Sequence, residues 1–212
     1  SIVGWTDLAL MDVDNVDRMK DALGVIKRAA STQAALINDI LDLSRIISGT
    51  MKLSTHSLKI THSISEVAKS FEAGFAGKNI QLSINCEDEH TQILGDNLRI
   101  KQVINNLLSN ALKFTSSGSI TLAVSGRALE HGIHEVNIVI RDTGIGISRQ
   151  DQKKLFNAFS QVDDALNRNY QGTGLGLVIS RELVRLMNGD LTLKSVLGQG
   201  STFHVSLRMN QL

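Results

Sequence analysis

Two glycine-rich segments of this chain have the residue types of a nucleotide site. The first, Asp142–Ile147, places two glycines behind an acidic residue, and the second, Gly172–Leu177, has glycine at every other position. Glycine lets backbone N–H groups approach a ligand closely, and such groups at the start of a helix bind phosphate well. The two segments therefore predict a nucleotide site, with the residues between them forming a mobile lid.

Asp142 is the residue of the first segment that could recognise a base. It follows a mostly apolar run, Val136–Ile140, which reads as a strand. A carboxylate at the end of such a strand can accept a hydrogen bond from an exocyclic amine, so Asp142 could read adenine. Gly144 and Gly146 would let the backbone turn beneath the base. An isolated Asp-x-Gly-x-Gly pattern is weak evidence, because strand-end turns of this kind are common.

The second segment is stronger evidence, because it opens a helix predicted over Gly174–Met187. Its alternating glycines would place the N–H groups of the first helical turn where phosphates could sit. The segment is not a P-loop, which needs Gly-Lys-Ser/Thr, and it does not follow a strand as a Rossmann fingerprint would.

A third group of polar side chains lies on a helix predicted over Asn97–Phe114. Asn106 and Asn110 are one helical turn apart, and Lys113 follows on the same side. Amide oxygens are hard ligands that suit Mg²⁺, and a lysine can meet a phosphate as a point charge. Taken alone, these asparagines are better explained as local caps or hydrogen-bonding groups. The glycine segments downstream favour the metal site.

Composition excludes several classes of function. The 212 residues carry a net charge of +1, which gives no electrostatic case for binding nucleic acid or an acidic membrane surface. Cys86 is the only cysteine, so no intrachain disulfide can form, which fits a reducing compartment. No apolar run is long enough to span a bilayer. The chain begins at Ser1 within an apolar pattern, and we expect it to be a piece of a longer protein.

The N-terminal part of the chain predicts a helical hairpin. A helix is expected from about Asn15 to Ser48, and it would be about 50 Å long, which is too long for a compact domain of this size. We expect it to form an antiparallel hairpin with residues 1–12, which a second copy doubles into a four-helix bundle. The alternative is a helix that covers the globular domain itself. The seam of apolar, small and polar residues that favours the bundle consists of Ile26, Ala30, Gln33, Ile37, Ile40, Ser44 and Ile47, widened by Leu36 and Leu43.

Gly49 and Thr50 mark a domain boundary, which predicts one domain over residues 1–49 and another over 50–212. In the second domain a helix is expected to open at Thr61 or Ser63. The core side of the helix over 97–114 is expected to contain Leu98, Val103, Leu107, Leu108, Ala111 and Leu112. Strands are expected at 51–60, 79–86, 119–125, 135–141, 191–195 and 201–207. Helices grouped against a mixed, mostly antiparallel sheet predict an α+β fold, a two-layer α/β sandwich.

Taken together and in order, the segments resemble the ATP-binding catalytic domain of sensor histidine kinases, whose fold is shared with gyrase, Hsp90 and MutL. The resemblance covers about residues 50–210, and its order of motifs is highly specific. The segments that are similar to the N box, the first glycine box, the F box, the second glycine box and the closing glycine motif are Asn106–Phe114, Asp142–Gly146, Phe156–Phe159, Gly172–Leu177 and Gly198–Phe203.

This resemblance implies that the site holds ATP and Mg²⁺. Asn106 and Asn110 would hold the metal, Thr202 would support Asp142 through water, and Arg168 would reach the γ-phosphate from the lid. The ATP-binding residues so implied are Asn106, Asn110, Lys113, Asp142, Gly144, Ile145, Gly146, Ile147, Phe156, Phe159, Arg168, Gly172, Thr173, Gly174, Leu175, Gly176, Leu177 and Thr202.

Residues 1–49 resemble the dimerisation and histidine-phosphotransfer hairpin of the same family, but they depart from its pattern. In the family the phosphoacceptor histidine lies on the first helix, followed by an acidic residue and then a proline. Here no histidine precedes His56, and the chain contains no proline. The resemblance implies a homodimer through the hairpin and a response regulator receiver domain as partner. It also implies a cytoplasmic location, as a free protein or as the cytoplasmic part of a membrane-bound receptor, without contact to nucleic acid or membrane in this part.

Three functions stay open at this point. The first is a histidine kinase core whose acceptor histidine is absent from this chain. The second is an ATPase or ATP-driven clamp of the same fold, but Asn106 stands where those families have a water-activating glutamate, and an amide cannot act as a general base. The third is a non-catalytic regulator that uses nucleotide only structurally or not at all, against which the intact set of site residues counts.

Overall fold

The chain consists of two compact units, Ser1–Gly49 and Thr50–Leu212. The computed structural model describes residues 2–11, 14–87, 92–158, 160 and 173–211. The first unit is helical, and the second combines helices with a sheet.

The first unit is a pair of helices, α1 (Ile2–Met11) and α2 (Val16–Ile47), that pack against each other. The helix predicted from about Asn15 to Ser48 is confirmed, with these two residues as its caps. Asn15 accepts a hydrogen bond from the Arg18 N–H at 3.1 Å, which satisfies one of the free donors of the first turn. Within one chain much of the apolar seam of α2 stays exposed, with Ile37 at 53% and Ile40 at 50%.

The second unit contains a five-stranded sheet and a two-stranded one. Its elements are, in order, β1 (His56–Lys59), α3 (Ile60–Ala76), β2 (Ile80–Cys86), β3 (Gln92–Gly95), α4 (Asn97–Phe114), β4 (Gly118–Ala128), β5 (Ile133–Asp142), α5 (Arg149–Gln152), α6 (Gly176–Leu186), β6 (Gly189–Val196) and β7 (Gly200–Asn210).

The large sheet has the strand order β2-β4-β5-β7-β6, and β1 pairs with β3 in the small one. β2 runs parallel to β4, while the other neighbours are antiparallel. This confirms the predicted α+β fold with a mixed, mostly antiparallel sheet. Helices α3, α4 and α6 contact the sheet.

Buried and partly buried residues alternate along β5, so one face of the sheet is the face on which the helices pack. Val136, Ile138 and Ile140 are each 1% exposed, while the residues between them are only partly buried. The helices complete this core with residues at helical spacing, such as Ile104 and Leu107 of α4.

Several sequence predictions in this unit are wrong in detail. The strand expected over 51–60 is confined to His56–Lys59, because only these residues pair with β3. Neither Thr61 nor Ser63 caps α3, which begins at Ile60 after Lys59. Both residues are buried within the first turn, and the Ser63 hydroxyl donates back to the Lys59 carbonyl at 3.4 Å.

Leu98 is not a core residue, contrary to the prediction, since it is 70% exposed. The buried residues of α4 include Ile100, Val103, Ile104 and Leu107. Two residues along a helix correspond to about 200° of rotation at 3.6 residues per turn. Leu98 therefore points away from the side on which Ile100 is buried.

None of the helices that the structure describes is both long and apolar enough to cross a bilayer.

Asp96 joins the start of the second unit to the helix that carries the asparagines. Its carboxylate accepts hydrogen bonds from the Arg99 N–H at 3.1 Å and from the Ser54 N–H at 2.8 Å. We expect Asp96→Ala to lower the free energy of unfolding by about 2 kcal/mol, because it removes a helix cap and leaves a second N–H without its partner. Urea denaturation measures this change. Asn97→Ala, at the exposed neighbouring position, should change stability by less than about 0.5 kcal/mol; equal effects of the two substitutions would contradict the assignment.

Candidate nucleotide site

Asp142 lies at the end of β5, as predicted, and its side chain is buried. Its Oδ1 accepts hydrogen bonds from the Gly144 N–H at 2.8 Å and from the Ser201 N–H at 3.3 Å. Burial raises the pKa of the Asp142 carboxyl above its ordinary value, and these two N–H groups offset part of the rise.

The first glycine segment lies between the end of α4 and the turn that joins β6 to β7. The Ile145 N–H donates to the Phe114 carbonyl at 3.2 Å, and the Ile145 carbonyl accepts from the Gly198 N–H at 2.7 Å. A Cβ at Gly144 would collide with the Phe114 carbonyl, and a Cβ at Gly146 with the Val196 carbonyl. The two glycines of this segment are therefore required by close backbone packing as well as by the turn.

Asn106, which is predicted to bind the metal, contacts helix α6, whose N-terminus is predicted to bind phosphate. Its Nδ2 donates to the Ser180 hydroxyl of α6 at 2.8 Å. Its Oδ1 lies so close to Gly176, the first residue of α6, that a Cβ at Gly176 would overlap it. The amide oxygen of Asn106 thus lies at the N-terminal end of α6.

The start of α6 has the features of a phosphate site. Its N-cap residue is Leu175, whose apolar side chain cannot accept a hydrogen bond from the N–H groups of the first turn. Gly174 has a φ of 69°, a left-handed conformation that favours glycine. The Leu175 N–H donates to the Thr173 hydroxyl at 3.1 Å. The N–H groups of a first helical turn and the positive end of the helix dipole together favour an anion.

Asn110 and Lys113 are half-buried on the last turns of α4. Burial lowers the pKa of the Lys113 ammonium, whose Nζ lies 4.8 Å from the centre of the Phe114 ring. A phosphate beside this group would favour its charged form.

Phe156 of the predicted F box contacts α6 through Arg181. The guanidinium carbon lies 4.7 Å from the centre of the ring, and Nη2 donates to the Phe156 carbonyl at 3.1 Å. Phe159, Arg168 and Gly172 lie outside the described residues, as does half of the segment predicted to form a lid.

Thr202 does not lie beside Asp142, so this part of the predicted site is corrected. Thr202 pairs with Arg141 across β5 and β7. Neighbouring residues of a strand point to opposite faces, so Thr202 is on the face away from Asp142. The residue that contacts Asp142 is Ser201, which is 7% exposed. The closing glycine motif contains both residues, but only the strand register decides between them.

The described residues contain no group of three or more His, Cys, Asp or Glu side chains that could hold a metal ion. That the amide oxygens of Asn106 and Asn110 hold a divalent cation together with oxygens of the ligand stays a prediction from the sequence. Oxygen ligands of this type, shared with phosphates, suit Mg²⁺.

The geometry of these residues agrees with a comparison of the chain with protein families. Residues 95–211 match the family described as histidine kinase-, DNA gyrase B-, and HSP90-like ATPase. The chain belongs to this family. Its second unit is the ATP-binding catalytic domain that histidine kinases have in common, as the sequence motifs predicted.

Curated relatives of the chain are sensor and hybrid histidine kinases. It is 38% identical over 212 residues to the signal transduction histidine-protein kinase BarA of Escherichia coli K12, a match that covers 99% of this chain and 23% of BarA. It is also 38% identical to the sensor histidine kinase GacS of Pseudomonas protegens, over 98% of this chain and 23% of GacS. The chain thus spans about a quarter of the length of these two relatives.

Solved structures of histidine kinases have the same fold. Full-length ShkA in complex with AMPPNP matches with a TM-score of 0.79 and 26% identity, over 93% of this chain and 40% of ShkA. The histidine kinase AdeS of Acinetobacter baumannii matches with a TM-score of 0.72 and 19% identity, over 99% of this chain and 93% of that one.

The raised pKa of Asp142 leads to a prediction about stability. The folded chain binds the proton of the Asp142 carboxyl more tightly than the unfolded chain does. The buried charge therefore lowers the free energy of unfolding by its full amount above the raised pKa. This destabilisation disappears as the pH falls towards the ordinary aspartate pKa of about 3.9. We expect Asp142→Asn, which keeps an oxygen acceptor, to match or exceed the wild type in free energy of unfolding at pH 7. The advantage should shrink as the pH falls through the raised pKa.

Urea denaturation across this pH range measures the difference. Asp190→Asn, on the exposed side of β6, is the matched control and should show no such trend. An Asp142→Asn protein that is less stable at pH 7 by more than about 1 kcal/mol, roughly one hydrogen bond, would contradict the prediction.

Proposed function

We propose that this chain is the nucleotide-binding core of a sensor histidine kinase, which holds Mg²⁺-ATP and transfers its γ-phosphate to a histidine outside these residues. The observation that carries the proposal is the contact of Asn106 with Gly176. In this contact an amide oxygen of a type that coordinates cations lies beside a helix N-terminus, which is a type of site that binds phosphate.

Each part of the site has a role in holding the nucleotide. Asp142 accepts a hydrogen bond from the exocyclic amine of adenine, and the first glycine segment lies beneath the base. The N–H groups at the start of α6 bind phosphate oxygens, and Lys113 adds a positive charge. Asn106 and Asn110 hold Mg²⁺, which neutralises charge on the phosphates. Phe156, Phe159 and Arg168 complete the site from the segment between the two glycine loops, with Arg168 directed to the γ-phosphate.

A phosphotransferase is favoured over an ATPase of the same fold. Activation of water needs a general base, and the residue at the expected position is Asn106. Its Nδ2 is occupied by the Ser180 hydroxyl, and neither end of a neutral amide takes up a proton near pH 7. The chain therefore holds the nucleotide in place for attack by a group that lies elsewhere.

The helical hairpin of the first unit is proposed to form a homodimer, and the response regulator receiver domain is its proposed signalling partner. Exposed apolar residues support the dimer, because α2 carries Leu23 at 55%, Ile37 at 53%, Ile40 at 50% and Ile47 at 77% exposure. Covering such a row of side chains is the usual driving force for helix bundles.

Nucleotide binding is tested by calorimetry with ATP, in the presence of Mg²⁺ and again in EDTA. The wild type should bind Mg²⁺-ATP at micromolar to millimolar concentration. Asn110→Ala should weaken binding in Mg²⁺ about ten-fold, roughly one lost charge-assisted contact, and should leave binding in EDTA unchanged. Asp142→Asn should weaken binding under both conditions, because it changes the base contact rather than the metal contact.

Asn105→Ala is the matched control for the asparagine variants. Asn105 is exposed and precedes Asn106 on the same helix, so its removal should leave both titrations unchanged. A folded wild-type chain that gives no binding heat at millimolar Mg²⁺-ATP would sink the proposal.

The dimer is tested by placing charge on the exposed seam of α2. Ile37→Lys combined with Ile40→Lys should convert a dimer into a monomer, because two lysines per helix would have to be buried next to their copies. Light scattering across micromolar concentrations measures the mass. Asn38→Lys adds a lysine at an exposed position outside the seam and should leave the dimer intact. A wild-type chain that is monomeric throughout this range counts against the hairpin as a dimerisation unit.

A further inference from the structure

Ser195 of β6 is the centre of a hydrogen-bond network beside Asp142. Its Oγ accepts from the Ile147 N–H at 2.8 Å and donates to the Gly200 carbonyl at 2.9 Å. The Ser201 hydroxyl lies 3.0 Å from the same atom. A serine hydroxyl can donate one hydrogen bond and accept two. When its hydrogen is directed to Gly200, the Ser195 hydroxyl can accept from both Ile147 and Ser201, so all three contacts can form at once.

The three partners of Ser195 belong to segments that converge on the base-reading carboxylate. Ile147 ends the first glycine segment, Gly200 begins β7, and Ser201 donates its own N–H to Asp142 Oδ1 at 3.3 Å. A Cβ at Gly200 would collide with the carbonyl oxygen of Asp142. The Ser195 hydroxyl therefore joins the first glycine segment to the strand that contacts Asp142 and fixes the distance between them.

Gln152 of α5 makes a second connection between Ile147 and Ser195. Its Nε2 donates to the Ile147 carbonyl at 2.7 Å and to the Ser195 carbonyl at 3.0 Å. A primary amide has two N–H donors, so both bonds can form at once. Ile147 and Ser195 are thus joined twice, once by a hydroxyl and once by an amide bridge.

We propose that Ser195, supported by Gln152, is a positioning residue for adenine recognition: it holds Asp142 and the first glycine segment at the separation that the base requires. This inference rests on the proposed function, in which Asp142 accepts a hydrogen bond from the exocyclic amine of adenine. Loss of the network weakens recognition of the base and leaves the phosphate contacts at the start of α6 intact.

The test compares ATP with inosine triphosphate, which lacks the exocyclic amine, in Mg²⁺ by calorimetry. The wild type should prefer ATP. Ser195→Ala should weaken ATP binding about ten-fold, equivalent to about 1.4 kcal/mol, and should change binding of inosine triphosphate by less than about two-fold. Ser195→Thr, which keeps the hydroxyl, should restore most of the preference. Asp142→Asn is the positive control for its loss.

Two further variants separate positioning from a general effect on folding. Thr192→Ala removes a hydroxyl from an exposed position of the same strand and should leave both affinities unchanged. Gln152→Glu has the same shape but places a carboxylate against two carbonyl oxygens, so it should lower the ATP preference in the same direction as Ser195→Ala. If Ser195→Ala fails to fold, the Gln152→Glu result decides.

An unchanged ATP preference in a folded Ser195→Ala protein, or in Gln152→Glu when that variant decides, overturns the positioning role while leaving the proposed function in place. An equal loss of affinity for both nucleotides likewise overturns it, because a merely structural role would affect both. A wild-type chain that binds neither nucleotide overturns the proposed function and this inference together.

Discussion

The close packing of the first glycine segment against the β6–β7 turn is the constraint on which the site depends. No side chain fits at Gly146 or Gly200, where a Cβ would collide with the carbonyls of Val196 and Asp142. Both residues also have positive φ, 66° and 100°, which other residues adopt only with strain. The approach of these two backbones brings the Ser201 N–H to Asp142. The position of the carboxylate is therefore set by backbone contacts, which leave little freedom for adjustment.

Burial shifts the pKa values of Asp142 and Lys113, two ionisable groups of the proposed site, in opposite directions. It raises the pKa of Asp142 and lowers the pKa of Lys113, because in both cases removal from water disfavours the charged form. A ligand that donates a hydrogen bond to Asp142 and brings negative charge to Lys113 would favour both charged forms. A nucleotide would thus offset the effect of burial on both groups, which is a common relation between stability and function in a binding site.

Helix α6 connects the parts of the site that lie far apart in the sequence. Its first residue, Gly176, and its Ser180, one turn later, both contact Asn106 of α4. The adjacent Arg181 contacts Phe156 instead. The same short helix therefore has the proposed phosphate site at its N-terminus and contacts both the asparagine proposed to bind the metal and the F-box phenylalanine.

Local patterns in the sequence predicted the secondary structure correctly wherever a segment determines its own conformation. The bounds of α4 were predicted as Asn97–Phe114 and are observed there, because its apolar periodicity, the Asp96 cap and the following turn are all encoded within one stretch. The α+β fold followed from the predicted helices and strands, and the family from the ordered asparagine, glycine and phenylalanine motifs. The short β1 was predicted too long, since its length depends on pairing with Gln92–Gly95, which lies far along the chain.

The sequence by itself determined the type of site, the order of its segments and the residues whose chemistry suits a nucleotide. Only the tertiary structure decided that Ser201 rather than Thr202 contacts Asp142, and that Ser195 and Gln152 join the loop to the sheet. A one-residue change of register moves a side chain to the opposite face of a strand, and register is fixed by partners distant in sequence. Hydrogen bonds between such partners leave no periodic signal, so these residues could not be identified before the strands were paired.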